Sequence, residues 1–157
     1  MFPKMRRANQ ELSGEAAEAI LADPKNLHGV LSMTSVHGYP YATPVSFAWA
    51  EGSIWIHTAL AGHRLESLQA DSHVCFTVVD ADETDEAAYT ALYRSVIVLG
   101  SAHQVDSDRE RYFGLKALCD KYAFHQPESD CEHESSACRR SAVFRIDPEC
   151  ITGKAAR

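Results

Sequence analysis

The sequence has no run of roughly 18 uncharged apolar residues, the length a membrane-spanning helix needs. Its start, MFPKMRRANQ, carries basic residues with no apolar stretch behind them, so a secretory leader is not expected and the reading is a soluble, cytoplasmic protein. Positive charge is scarce: 15 Lys and Arg against 22 Asp and Glu give a formal net charge of −7. Nucleic-acid binding begins with Lys and Arg neutralising phosphates, so that class is not expected, and any bound anion must meet a local basic spot. No G-x-G-x-x-G fingerprint occurs, which excludes a stably held dinucleotide of the usual kind. The close C-x-x-C spacing of structural zinc sites is missing too, and five cysteines, an odd number, do not make a disulfide framework. There is no internal repeat. What remains is ordinary globular composition, 45% hydrophobic and 24% charged over 157 residues, which fits one domain, 1–157, around one core.

Hydrophobic period divides the chain. Ser13 to Asp23 reads as a short helix capped by Ser13 and stopped by Pro24, with Ala16, Ala19 and Ile20 as its inner face. Leu27 to Ser35 is a strand, VHGYP a tight connection, and Tyr41 to Trp49 a second strand. In that second strand Tyr41, Thr43, Val45, Phe47 and Trp49 share a bulky face, while Ala42, Pro44, Ser46 and Ala48 share a small one. Pro44 cannot donate to a ladder, so this is an edge or bulged strand there; its small face is either open to a flat ligand or simply a blunted edge. SIWIHT is a third strand, GHRLESLQAD a helix and HVCFTVV a fourth strand. The acidic stretch ADETDEAAYTAL reads as a solvated loop or short helix. YRSVIVLGSAHQV is a fifth strand, and Ser107 with Glu110 opens a helix to about Tyr122 that faces inward with Tyr112, Leu115, Cys119 and Tyr122. A polar loop with His125, Cys131, His133 and Cys138 follows, then a sixth strand, SAVFRID, then PECITGK and a frayed basic tail. The fold class is mainly β with peripheral helices, a six-stranded antiparallel barrel.

The chemistry concentrates in IHTALAGHRLESL, where a strand ends at His57-Thr58, a loop passes through Gly62 and a helix begins near His63-Arg64. A helix start offers unpaired N–H groups and partial positive charge, and with the hydroxyl of Thr58, the ring of His63 and the guanidinium of Arg64 beside it, it suits a phosphate. A solvated strand-to-helix join is the plain alternative. Trp49 and Trp55 read as packing residues, and Cys75 and Cys119 as core thiols. The Cys131, His133 and Cys138 group, with His125, reads as a surface loop, with metal binding or a redox-sensing disulfide as alternatives.

In order and spacing, PYATPVSFAW, IWIHTALAGHRLESL, YRSVIVLGSA and RIDPECITGK resemble the 5-nitroimidazole-resistance (nitroimidazole reductase) proteins. These are a branch of the pyridoxamine 5'-phosphate oxidase-like FMN-binding split barrels, and the likeness runs from about Met5 to Gly153. It implies a homodimer with FMN at the interface and a reductase of nitro groups that takes electrons from a passing donor such as NAD(P)H. On matching positions His57 stands beside the flavin as the catalytic histidine, and Thr58, His63 and Arg64 hold the phosphate. Thr43, Pro44, Val45 and Ser46 lie along the isoalloxazine ring, and Ser95 and Val96 approach from the other subunit. The Trp-and-Arg C-terminal signature of true pyridoxamine phosphate oxidases is missing, which tells against a vitamin B6 substrate. A flavin-, deazaflavin- or haem-binding protein without fast turnover is the alternative.

Overall fold

The computed structural model describes residues 2, 4–138 and 140–156. Helix α1 (Gly14–Ala22) begins where Ser13 Oγ accepts the amide of Ala16, 3.2 Å away. It buries Ala17, Ile20 and Leu21, not the expected Ala16 and Ala19, because Leu21 rather than either alanine supplies the bulk that turns the helix toward the core. The strands are β1 (His28–Thr34), β2 (Pro40–Ser46), β3 (Ala48–Ala50), β4 (Ser53–Ala59), β5 (His73–Asp85), β6 (Thr90–Gln104) and β7 (Ser141–Ala156), with α2 (His63–Ala70) after β4 and α3 (Asp108–Tyr122) and α4 (Glu128–Ala137) after β6. All pairings are antiparallel in the order β2-β1-β5-β6-β7-β4-β3. The two edge strands are joined through a single residue, Phe47, so the sheet must curl on itself.

The described strands therefore number seven, not six. The expected continuous strand Tyr41–Trp49 breaks at Phe47, whose N–H donates to the Tyr122 hydroxyl at 2.9 Å. There the chain leaves β1 and turns to pair with β4. Pro44 does sit in an edge strand. The acidic stretch is no loop or helix: it carries β5 and β6 on into a hairpin ribbon paired as far as Asp85 with Thr90. A ribbon with no core beneath it has no buried face to leave an apolar period. Likewise Pro148 to Ala156 extends β7 along β6 instead of fraying; residue 157 lies outside the described residues.

Inside the curl lie Leu31, Phe47, Ile54, Ile56, Phe76, Val78, Val96, Val98, Phe144 and Ile146, each at most 1% exposed. A second cluster, Ala48, Trp55, Leu118 and Val143, lies outside it, where α3 covers β3, β4 and β7. Ser107 opens α3 as the spacing predicts, accepting from the Glu110 amide at 3.2 Å and donating to its carboxylate at 3.0 Å. The buried face of α3 centres on Gly114 and Leu118, and Tyr112 is exposed; the expected face is offset because Gly114, with no side chain, is the point of closest approach. No described helix is long and apolar enough to cross a membrane.

Candidate functional site

Thr58 and Arg64 come together at the join between β4 and α2. Gly62 at the N-cap has φ 117°, a conformation favouring glycine, and supplies no side chain to cap the helix. Leu65 and Leu68 bury one face of α2 and fix its start over the end of β4. Thr58 is buried, and its Oγ1 accepts from Arg64 Nε at 2.9 Å. That bond orients the guanidinium, and its two terminal amino groups have no protein partner among the described residues. An uncapped helix start beside an oriented guanidinium fork can hold a phosphate.

His63 is held differently. Its Nε2 lies 3.0 Å from Ser35 Oγ, its ring stacks on His37 with centroids 5.4 Å apart, and Tyr41 meets it edge-on at 4.8 Å. It is tied to the β1–β2 turn, leaving Nδ1 as the nitrogen free to face an anion. His37 is thus part of its surroundings.

His57 opens on a cleft of about 400 Å³ shared with Ser46 of β2, Leu115, Leu118, Cys119 and Tyr122 of α3, and Glu134, Ser135 and Cys138 of the α4 region. Burial, and then the positive charge of Arg64, lower its pKa below the ordinary imidazole value. The ring is therefore predominantly neutral at neutral pH. Tyr122 also bonds the carbonyls of Leu27 and Phe47, pinning the end of α3 to the strands that frame the cleft.

Of the ring-side residues, Pro44 and Ser46 face outward, Val45 is 5% exposed in the core and Thr43 is half-buried on the inward side. Ser95 and Val96 lie on β6, two strands beyond β1, so one chain does not bring them to Arg64. Val96 is wholly buried in its own core, whereas Ser95 faces outward. The outward face of β2, β1, β5, β6 and β7 carries a row, Pro44, Val30, Thr77, Ile97 and Thr152, with no charged residue, and a second row, Ala42, Ser32, Cys75, Leu99 and Cys150, also without one. Val30 and Ile97 are each 41% exposed on it.

The cysteine expectations need correction. Cys75 is half-buried on this outward face, not in the core, and Cys119 is bonded to Cys131 across α3 and α4. The expected polar loop from 125 to 138 holds α4, and among the described residues no group of three His, Cys, Asp or Glu side chains is placed to hold a metal. A polar cavity of about 500 Å³ between Ser53, Trp55, Glu110, Arg145 and Asp147 lies apart from this site; Arg145 there pairs with Glu110 at 2.8 Å and Asp147 at 2.9 Å. The α3 and α4 walls of the cleft carried no signal in the sequence, because their meeting with His57 is made only by folding.

The Pyridoxamine 5'-phosphate oxidase family model matches residues 13–155. No curated protein matches the sequence. Among solved structures, the fold is similar to a candidate 5-nitroimidazole antibiotic resistance protein from Bacteroides thetaiotaomicron (18% identity, TM-score 0.74, covering 92% of this chain and 86% of that one). It is similar to a conserved hypothetical protein from Mycobacterium tuberculosis (18%, TM-score 0.81, 97% and 90%). It also resembles the FAD and haem binding protein of Mycobacterium smegmatis (17%, TM-score 0.74, 94% and 73%).

Proposed function

The chain belongs to the pyridoxamine 5'-phosphate oxidase family, and from that premise we propose that it is an FMN-dependent reductase of small, flat, electron-poor molecules such as nitroimidazoles. The observation that carries the reading is the Arg64 fork, braced by Thr58 at the uncapped start of α2 and next to the His57 cleft. In this account Arg64, Thr58, the first amides of α2 and Nδ1 of His63 hold the phosphate, and the outward face of β2 at Pro44 and Ser46 lies along the ring. When bound, a flavin would supply the redox chemistry between a passing donor such as NAD(P)H and the substrate. His57 orients the substrate by a hydrogen bond and, in its protonated fraction, supplies a proton to a reduced nitrogen.

The working unit is a homodimer. The strand from Ser141 to Asp147 does not supply the dimer surface, since Ala142, Val143, Phe144 and Ile146 are buried within one chain. The uncharged outward face of β1, β5 and β6 supports the dimer instead, and it would bring Ser95 of β6 toward a second copy. Val96 would take part through its backbone alone.

Stopped-flow measurement tests the reductase directly. His57→Ala should keep its flavin and accept hydride normally, while reoxidation by a nitroimidazole slows by about 10²–10⁴-fold, the usual range for a positioned acid or base. Because the His57 pKa is lowered, the wild-type reoxidation rate should rise as pH falls toward a midpoint below the ordinary imidazole value, and the variant should lose that limb. If the variant loses flavin and reoxidises normally per flavin bound, His57 holds the cofactor and the catalytic role is wrong. A Soret band in freshly purified protein, with no flavin bands, would overturn the flavin reading itself.

A further inference from the structure

Helix α4 has a composition that does not explain its place. Its sequence, ESDCEHESSA, contains no large apolar side chain, and its only buried residues are Cys131 and Ser135. Ten residues is short for a helix to persist in water unaided, and tertiary attachment normally comes from an apolar face. Pro127 at the N-cap contributes no side-chain bond, and Ser135 Oγ bonds within the helix, to Cys131 O at 2.6 Å. α3 is the one element on which α4 packs extensively. Polar ties at its two ends, Lys116 to Glu128 at 3.3 Å and Arg111 to the Cys138 carbonyl at 2.8 Å, are peripheral. What crosses the centre of the contact is the Cys119–Cys131 bond.

The Cys119 end of that bond reaches the cleft. Cys119 lines it beside His57 and is half-buried, whereas Cys131 is 5% exposed. The opposite wall is Glu134, Ser135 and Cys138, within or just beyond α4. We propose that the Cys119–Cys131 pair is a redox-sensitive latch: oxidised, it holds α4 as the outer wall of the His57 cleft, and a dithiol reductant releases α4 and opens it. One thiolate of the reductant attacks Sγ of Cys119, and the S–S bond breaks with Cys131 leaving as a thiolate that takes a proton. The second thiol then displaces Cys119 from the mixed disulfide. The pair gains two electrons and two protons, and the reductant becomes a disulfide. The inference rests on the proposed function only in taking this cleft as the way to His57.

Hydrogen exchange on the full chain tests it, followed by mass spectrometry with non-reducing peptide mapping. Air-oxidised protein should give a Cys119–Cys131 cross-linked peptide. Reduction with dithiothreitol, or the variant Cys131→Ser, should speed exchange in residues 128–137 at least tenfold and speed alkylation of Cys138, with the amides of β4 to β7 unchanged. Cys138→Ser should match the wild type in exchange. No cross-link, or equal α4 exchange in both states, would overturn the latch. So would faster exchange throughout the chain, which would make the bond a staple of the whole fold. None of these readouts involves flavin, so failure of the reductase reading leaves them intact.

Discussion

At the scale of single residues, the site depends on side chains placed by partners distant in sequence. Lys121 illustrates the cost of such placement. Its ammonium lies 3.6 Å above the ring of Phe47 and donates to the Asn26 carbonyl at 2.8 Å, yet burial lowers its pKa from 10.5 to about 8, with Asp23 opposing weakly. In the unfolded chain the lysine titrates near its ordinary value. Between about pH 8 and that value the unfolded state therefore binds more protons than the folded one, and the contribution of Lys121 to stability rises with pH. It is at its smallest below pH 8. Urea unfolding of the wild type and Lys121→Met across this window should show the difference shift in favour of the lysine as pH rises. A constant difference would mean that the folded ammonium is not desolvated.

Among elements, the close seat of α3 on β4 controls the shape of the cleft. A Cβ at Gly114 would stand 2.4 Å from Cε3 of Trp55 and 2.9 Å from Cγ1 of Val143. Trp55 cannot yield easily, since it is 3% exposed with its indole N–H bonded to Ala50 O at 3.1 Å. Gly114→Ala should destabilise the fold by about 1–3 kcal/mol by overpacking, less up to roughly 1 kcal/mol regained in helix propensity. Thermal or urea unfolding checks this, and a stabilised variant would show that α3 moves freely. Elements with one buried face were legible in the sequence: the alternation of β2, the edge position of Pro44 and the Ser107 cap all appear where the pattern puts them. So was the Thr58 and Arg64 pair, because six residues and one turn separate them. The hairpin extension and α4 were not, since neither has an apolar face that imposes a period. The pairing of Cys119 with Cys131 could not be read from an odd cysteine count, and the cleft depends on α3 returning to β4 after two intervening strands.

For the whole molecule, the two adjacent uncharged rows on the outward sheet face predict a dimer of twice the 17.3 kDa chain mass. Light scattering at micromolar concentration should give that mass, and Ile97→Lys, which sets a charge at the centre of the face, should shift it toward the monomer. A wild-type mass near 17.3 kDa would remove the two-chain site. The central claim, that the start of α2 holds the phosphate of a flavin, is tested by titrating the wild type and Arg64→Ala with FMN and with riboflavin, following flavin fluorescence. A charge-assisted bond contributes about 1.5–3 kcal/mol, so the variant should bind FMN about 10- to 150-fold more weakly while riboflavin affinity stays unchanged. Equal weakening of both ligands, or no preference of the wild type for FMN, would contradict the account.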